Sequence, residues 1–323
     1  MKKITLFLLF LTLCTTAFNQ VIKGTIFDQK TDSVICFASV YFNGTFVGTT
    51  SDLNGNFKLN ILNNISMPLT ISAIGYYSIT LDDFSTSKPL IIYLKPKIYD
   101  LGGAVISSKS LERKRRRNLI LFNEEFLGTT ANAQECAILN EKDITFNYES
   151  DEDTIKAFAL KPILIENRAL GYKITYYLDK FEFYKRKQAA FFCGNMIFKE
   201  DATTEESQQF AEAREKAYLG SRMHFFRALW ANDLQANGFA ITNSNYQTFR
   251  YKEIVIQHYN YKYLSSTENL YVDYNKGFSY IQFLNKNVYF DKTGYFDPSG
   301  INWKGRMAAQ RIADWLPYEY SVE

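Results

Sequence analysis

The sequence predicts a mostly β protein: a seven-stranded N-terminal β-sandwich followed by an α+β region with an antiparallel sheet. Three observations carry that expectation. Phe and Tyr, 27 and 23 of 323 residues, outnumber Gly and Pro at 16 and 6, and aromatic residues favour strands. Short apolar runs separated by turn residues fill positions 21–95. Beyond residue 144 a period-two alternation is interrupted by two stretches of helical composition. The 16% aromatic content excludes a disordered chain, which could not bury enough apolar surface to offset its ordering entropy. A net charge of +3 supports no nucleic-acid partner.

Residues 1–20 read as a secretory signal peptide. Met1-Lys2-Lys3 is a positive start, Ile4 to Leu13 an uncharged and mostly apolar run, and Thr15-Thr16-Ala17 a small-residue cleavage region. The run is too short to anchor the chain as a spanning helix, and no later stretch is long enough either. Leu11-Thr12-Leu13-Cys14 loosely resembles a bacterial lipobox, but the large Leu13 makes lipidation at Cys14 the less favoured outcome. The protein is therefore expected to be exported, to the periplasm or to the outer membrane and cell surface. Loss of Cys14 leaves Cys36, Cys136 and Cys193, an odd number. A Cys136–Cys193 bridge is open on the sequence. Cys36, between Val34 and Phe37, is expected to be buried and unreactive.

In residues 21–95 the expected strands are Val21–Phe27, Val34–Phe42, Thr45–Thr50, Phe57–Ile61, Leu69–Ala73, Tyr77–Leu81 and Leu90–Leu94. Asn43-Gly44 and Asn54-Gly55 are hairpin signals, because both need a residue that tolerates positive φ. Asp52-Leu53-Asn54-Gly55-Asn56 superficially matches the start of a calcium loop, but no Glu closes it twelve positions on, so a turn is expected.

Four segments in order carry a resemblance: Lys23-Gly24-Thr25-Ile26-Phe27-Asp28, Phe37-Ala38-Ser39-Val40-Tyr41, Gly48 through Phe57, and Ser72-Ala73-Ile74-Gly75-Tyr76. Together they resemble the carboxypeptidase-regulatory-like module, a transthyretin-like sandwich common in envelope proteins of the Bacteroidota. The resemblance implies a non-catalytic module beside a second unit. Ala169 to Ile174 and Gly305 to Pro317 are similar to regions that accompany this module and have no assigned activity.

Pro96 to Ser110, with Gly102-Gly103, reads as a linker. The remaining residues, 111–323, read as one α+β domain. Leu111–Leu127 is expected to be a helix, with Leu119, Phe122 and Phe126 at helical spacing. Its basic run, Arg113, Lys114, Arg115, Arg116 and Arg117, reads as a solvated face, with contact to anionic lipid headgroups as the functional alternative. Tyr172 to Leu178 alternates as a strand, and the shift to Phe181 and Phe183 implies a bulge at Asp179-Lys180. Helices are expected over Thr204–Tyr218, Ser221–Gln235 and Lys304–Leu316. Tyr259, Tyr261 and Tyr263 alternate along a further strand and are the sequence's candidate ligand stripe, suited to stacking on a glycan.

The expected function is that of an exported, non-enzymatic cell-envelope protein, a binding or scaffolding piece whose partner is an envelope protein or a glycan. No catalytic residue, cofactor or metal ligand is expected. His224 and His258 are the two histidines, neither has Glu three positions on, and the cysteines lack C-x-x-C spacing. No serine sits in a G-x-S-x-G elbow. The alternative is a glycan or peptide hydrolase with an unrecognised site in 111–323, where Cys193 with a histidine is the nucleophile to examine.

Overall fold

A computed structural model describes residues 20–61, 67–84, 86–97, 109–147, 153–201 and 207–322. Residues 1–19 of the expected signal segment, the central part of the expected linker and the first residues of the expected Thr204–Tyr218 helix lie outside the described residues.

Seven strands build the N-terminal sandwich: β1 (Gln20–Asp28), β2 (Ser39–Phe42), β3 (Gly48–Thr50), β4 (Asn56–Ile61), β5 (Leu69–Ser72), β6 (Ile79–Leu81) and β7 (Leu90–Leu94). One sheet runs β4-β1-β7, with β1 and β7 parallel, and the other β3-β2-β5-β6. Period-two alternation places Phe57, Leu59 and Ile61 inward and Lys58 and Asn60 outward, as read from the sequence. At the β3–β4 turn, Asp52 Oδ1 accepts the Asn54 and Asn56 N–H groups and Gly55 has φ +74°, so the acidic loop is a turn.

Cys36 corrects the sequence reading. The strand begins at Ser39 rather than Val34, Phe37 takes φ +58° and is 67% exposed, and the Cys36 thiol is exposed. Only Ile35 and Ala38 of that loop turn inward. A run of apolar residues mimicked a buried strand, and the positive φ broke its alternation. Cys36, Cys136 and Cys193 are all free, so the Cys136–Cys193 bridge does not form.

Helix α1 (Lys109–Phe126) leads into a second unit. After the single turn α2 (Ala131–Gln134) come β8 (Cys136–Ile138), β9 (Ile144–Phe146), β10 (Thr154–Ala159), β11 (Ile163–Asn167), β12 (Tyr172–Tyr184) and β13 (Ala189–Glu200). The long β12 is the spine: its first half pairs with β11, its second half with β10, and β13 lines its other edge. The register shifts between Leu178 and Lys180, the expected bulge, which restores an inward Phe181 and Phe183. Phe122 and Phe126 pack on Phe181 and Tyr176 at centroid distances of 4.6 and 4.9 Å. Each such fully buried ring stabilises the fold by roughly 1.5–3 kcal/mol.

Helices α3 (Ser207–Tyr218) and α4 (Arg222–Ala231) follow, with Ser221 capping α4 and Asn232 ending it at φ +57°. The third unit contains β14 (Phe239–Thr242), the turn α5 (Tyr251–Ile254), β15 (Val255–His258), β16 (Tyr261–Ser265), β17 (Leu270–Tyr274), β18 (Gly277–Phe283), β19 (Asn287–Phe290) and β20 (Ile301–Gly305). Its sheets, β14-β17-β18-β20 and β15-β16-β19, close over Phe225, Phe226 and Leu229 of α4. The region 111–323 therefore holds two apolar cores. The expected helix over Lys304–Leu316 is instead the end of β20, one turn α6 (Arg306–Ala309) and a 3₁₀ turn at Ile312–Asp314. This strap anchors Met307 in one core and Ile312 and Leu316 in the other.

Candidate functional site

The sandwich docks on the second unit through its Asn43-Gly44 turn. Gly44 N–H donates to Met196 O at 2.8 Å, Met196 N–H to Asn43 Oδ1 at 2.8 Å, and Phe198 N–H to Thr45 O at 3.0 Å. The Tyr177 hydroxyl reaches Ser39 Oγ at 2.6 Å, and the Tyr318 N–H donates to Gly44 O at 2.9 Å. The hairpin turn predicted from Asn-Gly thus extends β13 and receives the C-terminal strap.

Between that turn, β13, the start of α4, the segment around Tyr295 and the strap lies a cleft of ≈ 680 Å³. That volume falls within the range of small-molecule sites. Its walls are largely apolar, with Phe191, Phe192, Met196, Trp303, Trp315 and Leu316 among them. Strap residues hold the shape. Asp314 accepts from Thr130 Oγ1 at 3.0 Å and Asn132 Nδ2 at 2.9 Å, and burial raises its carboxyl above the usual range despite those bonds. Trp315 Nε1 donates to Gln310 O at 3.3 Å, while Gln310 Nε2 donates to Ala217 O at 3.1 Å. The buried Trp303 Nε1 has no hydrogen-bond partner among the described residues.

The cations of the cleft differ in how they are neutralised. Arg311 pairs with Glu125 at 3.4 Å. Lys304 stands exposed at the rim. Arg222, at the first turn of α4, forms no ion pair among the described residues. Its guanidinium lies 5.0 Å from the Trp315 ring centroid and donates one long bond, 3.4 Å, to Gln310 O. Burial pushes its pKa down to about 10, the nearby Arg311 adding to the shift. The Tyr318 hydroxyl beside it is pushed up to about 12, again chiefly by burial.

Cys193 faces this cleft, and burial raises its thiol pKa, opposite to the shift an activated nucleophile needs. Neither histidine is among its neighbours. His224 is buried, its Nδ1 accepting the Gly220 N–H at 3.1 Å, so Nε2 carries the proton and donates to Asn237 Oδ1 at 3.1 Å. His258 is exposed at the end of β15. Among the described residues no group of three or more His, Cys, Asp or Glu could hold a metal ion.

The tyrosine stripe is only partly a stripe. Tyr259 sits in the two-residue turn between β15 and β16 at φ +54° and is 83% exposed, so it leaves the strand. Tyr261 and Tyr263 share a face of β16, where both rings pack on Tyr289 at 6.0 Å. The basic run is divided as well. Arg113, Lys114, Arg116 and Arg117 are exposed on α1. Arg115 instead donates to Ile144 O at 2.7 Å and Glu141 O at 2.9 Å, capping that corner of the sheet. The sequence reading missed Arg222 altogether. Its one local signal, an Arg directly after an N-cap serine, carries no chemistry by itself.

Residues 22–106 match the family model of the CarboxypepD_reg-like domain. The N-terminal sandwich is a carboxypeptidase-regulatory-like domain. No curated protein matches the chain. Among solved structures, one from Bacteroides fragilis aligns over 89% of this chain and 95% of its own at 12% identity. That protein is described with a provisional membrane association and an unknown function, and the TM-score of 0.18 carries no argument about this chain. No helix among the described residues is long and apolar enough to cross a membrane.

Proposed function

We propose that the chain is an exported, non-enzymatic cell-envelope protein that binds a ligand in the cleft between its carboxypeptidase-regulatory-like domain and the C-terminal region. The observation that carries the reading is Arg222, a cation without a counter-charge set in a large apolar cleft. Arg222 is half-buried, and partly desolvating a cation without a counter-charge is unfavourable, which favours an anionic ligand there. The raised Cys193 pKa and the engagement of His224 with Gly220 and Asn237 favour binding over nucleophilic hydrolysis. The Met1–Ala17 pattern supports export. A glycan contact at the tyrosine hairpin is less well supported, because Tyr261 and Tyr263 angle against Tyr289 rather than forming a flat platform.

Cell fractionation combined with a panel of ester, peptide and glycoside substrates tests the proposal. The expected result is recovery in the envelope fraction and no turnover, while cleft ligands raise the melting temperature. Turnover lost on Cys193→Ser would overturn the non-enzymatic reading, and cytoplasmic recovery the exported one.

A further inference from the structure

Building on that binding reading, we propose that the cleft takes a singly charged carboxylate carried on an apolar body, with Arg222 holding the carboxylate and the aromatic wall covering the body. The charge balance of the cleft selects the head group. Glu125 and Arg311 neutralise one another, Asp314 is bonded to Thr130 and Asn132, and Lys304 is solvated at the rim. Arg222 is left as the one half-buried cation without an ion pair among the described residues that line the cleft. Its planar fork suits a carboxylate bidentately. A doubly charged phosphate would face the Glu125 and Asp314 carboxylates with only one unpaired guanidinium, so a monoanion fits better. A neutral or cationic amphiphile would leave the guanidinium desolvated and unpaired.

The wall selects the body. Phe191, Phe192, Trp303, Trp315, Met196 and Leu316 offer aromatic and thioether surface, and the volume greatly exceeds what a small anion fills. Trp315 is already stacked near Arg222, so the head and body subsites are contiguous. The Asn43-Gly44 turn of the sandwich closes one rim, which gives the carboxypeptidase-regulatory-like domain a part in the site.

Cys193, exposed in the lining of the cleft, supplies a reporter, and Cys36, exposed on the sandwich, an internal control. The purified full chain is labelled with a maleimide in the presence of decanoate, decanol or decyltrimethylammonium, and modification at each cysteine is read by peptide mass spectrometry. Saturating decanoate is expected to slow Cys193 labelling at least about tenfold and to quench tryptophan fluorescence, with Cys36 unaffected. Decanol and decyltrimethylammonium should need at least about tenfold more ligand, and Arg222→Met should abolish the preference for decanoate. Equal protection by decanol and decanoate would overturn the carboxylate proposal while leaving cleft binding in place. Absence of Cys193 protection by all three would overturn both. Should Arg222→Met fail to fold, by circular dichroism, the three-probe comparison on the unaltered protein decides the matter. (The tenfold threshold corresponds to about 1.4 kcal/mol.)

Discussion

Gly44 is where the fold's assembly is most exposed to a single atom. It sits at φ +76°, and a Cβ there would lie 2.8 Å from Tyr318 Cε2. Gly44→Ala therefore incurs two costs. The left-handed backbone costs a non-glycine residue about 1–2 kcal/mol. The overlap with Tyr318 adds about 1–3 kcal/mol, because that ring also packs against Tyr295 at 5.9 Å and its backbone is bonded to Gly44. The expected loss is about 2–5 kcal/mol, a fall in melting temperature of about 4–10 °C for a chain of this size. Gly75 is the internal control, with φ +84° and nothing within 4 Å of its Cβ position, so Gly75→Ala should show the backbone cost alone.

Differential scanning calorimetry on Gly44→Ala, Tyr318→Leu and the double variant separates the two costs. With the ring removed, Gly44→Ala should lose only the backbone part, giving a coupling of about 1–3 kcal/mol between the sites. Equal losses in both backgrounds would refute the claim that Tyr318 locks the turn. So would a loss no larger than that of Gly75→Ala.

Three further outcomes are expected. Thiol labelling of the native protein should modify Cys36 and Cys193 readily and spare Cys136, whose half-buried thiol is pushed up to about 12 by burial and by Asp314; rapid Cys136 labelling would contradict its placement. Proteolysis between residues 98 and 108 should give two fragments that co-elute on gel filtration, because the bonds from Asn43, Gly44 and Thr45 to β13 survive the cut; separation under native conditions would show that the docking is weak. Burial lowers the His224 pKa below its ordinary 6.5, so the unfolded chain protonates first as pH falls. Stability present above about pH 6.5 is then lost on acidification, and His224→Gln should flatten that slope below pH 6.5 in urea titrations; an unchanged slope would mean the imidazole is not held neutral.

Local chemistry explains which parts of the fold were legible in the sequence. Strands whose faces alternate, such as β4, carry their own burial pattern, and an Asn-Gly pair announces its turn. The bulge in β12 was legible because Phe181 and Phe183 shift parity against Tyr172 to Leu178. Cys36 and the strap misled for the same reason. Val34, Cys36 and Phe37 are apolar in composition, but the positive φ at Phe37 turns the loop outward. In the strap, Met307 enters one core and Ile312 and Leu316 the other, and a local apolar pattern does not record which core receives each residue.

The cleft was illegible for a different reason. Its defining property is that Arg222 lacks a carboxylate, and that is a fact about neighbours in space. The carboxylates that line the same cleft are Glu125, more than ninety positions earlier, and Asp314, more than ninety positions later. The first is committed to Arg311 and the second to Thr130 and Asn132. The strap decides this, because it carries both Arg311 and Asp314 and is fixed at its far end by the Tyr318–Gly44 bond. Undocking the sandwich would loosen that end. On this geometry the N-terminal domain takes part in holding the strap, and with it one wall of the cleft, in place.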